Sequence, residues 1–139
     1  MTLDNDTVKK IVQYFKNKPR VEVVYLYGSQ ARNEARSDSD IDLAVLESTK
    51  NSDYLIYPSD LAVALHKKVD VQNLLNCPPD FSYRVLLEGK VLFSRNEKAR
   101  IAFEEKTFRQ YFDVKPILDE YFKSLSKIVR KGELGVRYI

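Results

Sequence analysis

Five residues stand out as able to do chemistry: Gly28, Ser29, Asp40, Asp42 and Asp70. Gly28 and Ser29 follow VEVVYLY (21–27), a β-branched and aromatic run that predicts a strand. They leave it for a short helix, whose first backbone N–H groups lack internal partners and attract anions such as phosphate. Glycine lets the chain approach a phosphate closely, and the serine hydroxyl adds a donor. Asp40 and Asp42 open DIDLAVL (40–46), a second predicted strand. Residues i and i+2 of a strand share a face, so the two carboxylates stand side by side and Ile41 turns into the core. Like charges held that close are costly without a cation between them, and a hard divalent ion, most simply Mg²⁺, suits oxygen ligands. Asp70 opens a third predicted strand, VDVQNLL (69–75). If that strand neighbours 40–46, Asp70 completes a three-carboxylate cluster. Such a set describes phosphoryl or nucleotidyl transfer. Two cations, ~3.5–4 Å apart in sites of this kind, clamp the attacking and leaving oxygens. The protein positions the groups and neutralises charge. Taken singly, Gly-Ser is common, Asp-x-Asp more often marks a turn or cap, and Asp70 is an ordinary strand-end acid. Their joint spacing carries the reading.

The elements that must position these residues are legible as well. Val8, Ile11, Val12 and Phe15 predict a helix over 5–17, capped by Asp4 or Asp6 and ended by Lys18-Pro19. A helix is predicted over 51–68, with Pro58 either kinking it or lying in its first turn. Pro78-Pro79 opens a helix from about residue 80 that stops at Gly89. KVLFS (90–94) is a fourth short strand. From Glu97 to about Lys131 the pattern is helical, with Phe108, Tyr111, Phe112, Leu118, Tyr121, Phe122, Leu125, Ile128 and Val129 forming an apolar stripe. Pro116 is expected to kink or split it. Strands separated by helices predict an α+β sandwich: a small mixed sheet of three to four strands flanked by helices, with a long C-terminal helical segment. It reads as one domain, with a catalytic core over 1–94, C-terminal helices over 95–131 and a tail over 132–139.

Composition narrows the function classes. The chain has 139 residues, 44% of them hydrophobic and 31% charged, which is enough for one core of its own. His66 is the only histidine, which excludes a His-rich zinc site within the chain and leaves little basis for a Ser-His-Asp triad. It is read as a helix C-terminal residue. Cys77 is the only cysteine, so no internal disulfide forms, and a cytoplasmic setting is expected. No run of about 18 apolar residues is present, and the polar N-terminus is unlike a secretory signal. No membrane association is expected. The net charge of +3 does not mark a nucleic-acid binder, and direct nucleic-acid contact is not expected.

The run YGSQAR…SDSDIDL, with VDVQNL and LLEGKVLF, resembles the minimal nucleotidyltransferase family of the polymerase-β-type superfamily, most closely the antitoxins of HEPN/MNT toxin–antitoxin pairs. The resemblance spans about residues 8–130 and is specific around 26–46. It implies a nucleotidyltransferase fold. It implies that Asp40 and Asp42 ligate Mg²⁺, with Asp70 the third acid, and that Gly28 and Ser29 hold the phosphates of ATP. It implies a partner, a HEPN ribonuclease toxin that receives AMP on a tyrosine and loses activity. Asn33 stands where many relatives have glycine, and asparagine tolerates left-handed backbone. Arg32 and Arg36 are candidate triphosphate ligands, against ion pairs to Glu34 or Asp38. Arg84 is a weaker candidate of the same kind. With the core using 1–94, little chain is left to wall off a small acceptor, so the acceptor is expected to dock from another chain. The competing readings are a nucleotidyltransferase acting on small molecules of the antibiotic kind, and an antitoxin that acts by binding alone.

Overall fold

The computed structural model describes residues 3–36, 39–50 and 55–130. Helix α1 (Asn5–Lys16) is capped by Asp4, whose carboxylate accepts from the Thr7 N–H at 2.7 Å. Strand β1 (Val21–Tyr27) follows, then β2 (Ile41–Glu47), α2 (Ile56–Leu65), β3 (Val69–Asn73), α3 (Pro79–Glu88), β4 (Lys90–Ser94) and α4 (Glu97–Arg130). The sheet order is β3-β2-β1-β4, with β2 and β3 parallel and the other pairs antiparallel. This is the mixed four-stranded sheet expected.

Period-two alternation sends the strand residues to two cores. Val24, Leu26, Ile41, Leu43, Val45, Val69 and Val71 pack with Ile11 and Phe15 of α1 and Tyr57 and Leu61 of α2. Val23, Tyr25, Ala44 and Leu46 face the other way, against Val85 and Phe81 of α3 and Phe103 of α4. The sheet therefore lies between two helical layers.

Several boundaries differ from the sequence expectation. Of the predicted helix over 51–68, α2 keeps 56–65, with Pro58 in its first turn where no intrahelical N–H is needed; residues 51–54 lie outside the described residues. His66 ends α2 in left-handed backbone, φ +55°, with its N–H on the Ala62 carbonyl at 2.9 Å. β3 stops at Asn73, whose side chain accepts from the Leu75 N–H at 3.1 Å and starts a 3₁₀ turn instead of more strand. Pro116 does not split α4. It is exposed, so its ring meets solvent instead of a packed neighbour. Gly89 ends α3 as expected but not by left-handed backbone, since its φ is −81°. A Cβ there would run into the Val85 carbonyl and lie 2.9 Å from the Leu26 carbonyl, so the need is for space.

Arg95 ties the halves of the fold together. Its Nε donates to the Val21 carbonyl at 3.1 Å, and one Nη donates to the carbonyls of Phe15 at 3.0 Å and Lys16 at 3.1 Å. A fixed cation thus sits on the C-terminal end of α1, where the helix dipole is negative. Arg95→Ala is expected to lower stability by about 2 kcal/mol in urea unfolding, the scale of a charge-assisted hydrogen-bond set. A loss below about 0.5 kcal/mol, typical of plain surface changes, would contradict this.

Candidate active site

Tyr27, Asp42 and Asp70 are cross-strand partners in one row, Tyr27 opposite Asp42 and Asp42 opposite Asp70. Directly paired residues point to the same face. Asp42 alternates with Ala44 and Leu46, so this face is the one under α3 and α4. Asp40 lies two residues before Asp42, just ahead of β2. Ile41 is fully buried on the opposite face, as the spacing predicts. The condition attached to Asp70 is met: its strand pairs with the strand of Asp42.

The turn after β1 closes against these carboxylates. Gly28 has φ +74°, a left-handed conformation that favours glycine. A Cβ at this position would collide with the Asp42 carboxylate and lie 3.2 Å from its Cγ. The helix expected here is only a three-residue 3₁₀ turn, Gly28–Gln30. It is held by the Ala31 and Arg32 N–H groups on the Gly28 carbonyl at 3.1 and 3.2 Å, and by the Glu34 N–H on the Ser29 carbonyl at 2.9 Å. The N–H groups of its first turn have no partner within the turn itself. Asn33 adopts φ +59°, the left-handed backbone expected of it. Gln30 is buried, its amide 3.5 Å from the Ser39 carbonyl in the segment leading to Asp40.

Charge accumulates in the row. Burial raises the Asp42 carboxyl above its ordinary value, and the Asp70 and Asp40 carboxylates push it further, partly offset by Arg32 and Lys68. The Tyr27 hydroxyl is pushed far up by burial, then by Asp70 and Asp42. Lys68 stands 3.8 Å from Asp40, a cation the sequence reading did not identify. Among the described residues, no three acidic, His or Cys side chains already form a metal cage. The chemistry of the donors nonetheless fits a hard divalent cation: carboxylate oxygens only, with negative charge that Arg32 and Lys68 only partly offset.

That charge has a pH signature. A carboxyl whose folded pKa lies above its unfolded one destabilises the ionised fold, so without metal, stability falls as pH rises from near 4 through the folded value of Asp42. Asp42→Asn is expected to remove this fall and raise metal-free stability at pH 7 by less than about 1 kcal/mol, since solvent screens a partly exposed group. Thermal midpoints at pH 4 and pH 7 without divalent ions measure it. A variant less stable than the wild type at pH 7 would contradict it.

The arginines divide. Arg32 donates through Nε to Glu34 at 3.1 Å and through Nη1 to both oxygens of Glu88 at 3.3 Å. Arg36 contributes a backbone N–H to the Ser39 hydroxyl at 2.7 Å. Arg84 borders a cavity with Tyr27, Gly28, Arg32, Phe81, Val85 and Glu88. Asp38 lies outside the described residues. Sequence reasoning missed Gln72, whose amide donates to Asp70 at 3.1 Å. It sits two residues from Asp70 on the same strand, so the alternation that paired Asp40 with Asp42 could have found it.

Known proteins are similar over most of the chain. The protein adenylyltransferase MntA of Shewanella oneidensis is 27% identical over 131 residues, covering 89% of this chain and 94% of that protein. A chain in a crystal structure of a toxin–antitoxin with AMP-PNP superposes with a TM-score of 0.71 at 25% identity, over 83% of this chain and 98% of that one. A chain in the structure of a tri-AMPylated Shewanella oneidensis HEPN toxin in complex with MNT antitoxin gives a TM-score of 0.68 at 24% identity, over 86% of this chain and 99% of that one, a likeness of fold. The sequence pattern of the polymerase beta nucleotidyltransferase family matches residues 9–98, which include β1–β4 and all five residues singled out at the start. With its carboxylate row standing against the turn after β1, the chain belongs to that nucleotidyltransferase family.

Proposed function

We propose that this chain is an antitoxin that transfers AMP from ATP to a tyrosine hydroxyl of a HEPN-type toxin and so inactivates it. One observation carries the reading: Asp42 and Asp70 are paired across β2 and β3, with Asp40 beside them and the Gly28–Gln30 turn packed on Asp42. Membership of the nucleotidyltransferase family supports the reaction type. The adenylyltransferase relative and the AMP-PNP-bound neighbour support the nucleotide, and the AMPylated toxin beside a similar chain supports the acceptor.

Gly28 and Ser29 hold the phosphate tail through backbone N–H groups and the serine hydroxyl. Asp40, Asp42 and Asp70 hold Mg²⁺, in two ions. When bound, these ions offset the charge of the reacting phosphate and of the attacking oxygen. The hydroxyl oxygen forms a bond to the α-phosphorus, and the bond from that phosphorus to the bridging oxygen breaks. Pyrophosphate leaves with the electron pair, and Asp70, oriented by Gln72, takes the hydroxyl proton. Among the described residues, no helix is long and apolar enough to cross a membrane. We place the reaction in the cytoplasm, in keeping with the single, free Cys77.

The test is incubation of the full chain with its toxin, Mg²⁺ and ATP carrying label at either the α- or the γ-phosphate. Label from the α-position should enter the toxin and label from the γ-position should not. Toxin neutralised without α-label would overturn the reading in favour of binding alone. Labelling of a small-molecule acceptor in place of the toxin would overturn it in favour of the small-molecule enzyme.

A further inference from the structure

The cavity beside Gly28, about 190 Å³, is bordered by two guanidinium groups in opposite electrostatic situations. Arg32 is bound by Glu34 on one side and by both oxygens of Glu88 on the other. Glu88 is the last residue of α3, where the helix dipole disfavours an anion, so the Arg32 contact compensates its placement. Arg84 lies one helical turn earlier on α3 and is exposed, and among the described residues it is in no ion pair. Its charge reaches the Tyr27 hydroxyl, the same group on which Asp70 and Asp42 act. Arg84 thus stands beside the carboxylate row, on the α3 side, with its donors uncommitted among the described residues.

We propose that Arg84 is the guanidinium that binds the β- and γ-phosphates of the nucleotide and holds pyrophosphate as it leaves, while Arg32 is a positioning residue locked in the cavity wall by Glu34 and Glu88. The proposal rests on the nucleotidyl-transfer reading and deepens it. In that step the bond from the α-phosphorus to the bridging oxygen breaks, and negative charge collects on the departing pyrophosphate. A planar, permanently charged fork suits such a group, because it can donate two parallel hydrogen bonds to phosphate oxygens. Arg32 cannot do so without giving up two carboxylates, and this reassigns the role that the sequence alone suggested for it.

The full chain with Mg²⁺ supplies the test. Calorimetry gives the affinities of wild type, Arg84→Ala, Arg84→Lys and Arg32→Ala for ATP, pyrophosphate and AMP. Arg84→Ala should weaken ATP and pyrophosphate by about 10- to 100-fold, the scale of charge-assisted hydrogen bonds, and leave AMP unchanged because AMP lacks the phosphates concerned. Arg84→Lys should recover part of the loss. Arg32→Ala should lower the thermal midpoint while keeping the wild-type ratio of pyrophosphate to AMP affinity. Equal affinities for pyrophosphate in Arg84→Ala and wild type would overturn the proposal. So would parallel losses for AMP and pyrophosphate, or a selective pyrophosphate loss in Arg32→Ala. If wild type binds ATP with this dependence on Arg84 but never labels the toxin, the acceptor assignment fails and the Arg84 assignment stands. If wild type binds no ATP, both fall.

Discussion

Replacing Asp40 and Asp42 together by asparagine should abolish AMP transfer, by at least about 10³-fold, with the fold intact. The magnitude follows from the chemistry lost. A cation clamp contributes several kcal/mol of transition-state charge stabilisation, and each 1.36 kcal/mol is a factor of ten. The fold survives because neither side chain belongs to the apolar cores on either face of the sheet. The Asp40 ion pair with Lys68 is largely exposed and adds little stability. Asparagine also removes like-charge repulsion in the row, so the variant should melt no lower than wild type without metal. Single-turnover transfer and circular dichroism on the same preparation check both halves. Residual transfer within about tenfold of wild type would contradict the assignment of these carboxylates, given the cost expected for losing a cation clamp.

Gly28→Ala should be the most damaging change of a single methyl group. The backbone there is left-handed, which costs an L-residue roughly 1–2 kcal/mol. The added Cβ also meets the Asp42 carboxylate, so the turn or the carboxylate must move. A displacement of about 1 Å at a reacting centre costs on the order of 10²-fold in rate. Transfer should therefore fall about 10²-fold or more, and stability should fall by about 1–3 kcal/mol, the scale of local backbone strain. The two losses have separate origins, and urea unfolding together with transfer rates at saturating ATP separates them. Stability lost with full turnover retained would show that the turn does not bear on Asp42 in the reaction.

The placement of the candidate residues was legible in the sequence because it depends on short-range geometry. The alternation in Asp40-Ile41-Asp42 dictates which side chains share a face, and burial of Ile41 opposite them follows from the same rule. Asp70 needed one further fact, the parallel pairing of β2 with β3, which no local pattern contains. What local pattern could not supply was long-range partnership. No local pattern singles out Arg95, yet it closes the end of α1 from some eighty residues away. Arg32 reads as a candidate phosphate ligand, and its ion pair with Glu88, the last residue of α3, appears only once the fold brings the two together. Gly89 reads as a helix stop and is one, but that the carbonyls of Val85 and Leu26 demand glycine there is a long-range fact. Pro116 reads as a break, and an exposed position in a long helix tolerates it. Beyond the contacts of Tyr83 with Phe108, Tyr111 and Phe112, the stripe on α4 is partly open, with Tyr121 62% and Phe122 39% exposed.

The most direct examination of the cation site is a crystal of the chain grown with Mn²⁺ and a non-hydrolysable ATP analogue, with the metal located by its anomalous scattering. Carboxylate–water sites accept Mn²⁺ in place of Mg²⁺. The expected result is anomalous density bounded by oxygens of Asp40, Asp42 and Asp70 at roughly 2.0–2.3 Å, with the analogue's phosphates reaching the Ser29 N–H. Metal and phosphates bound away from this row, with Asp70 contributing no ligand, would contradict the account.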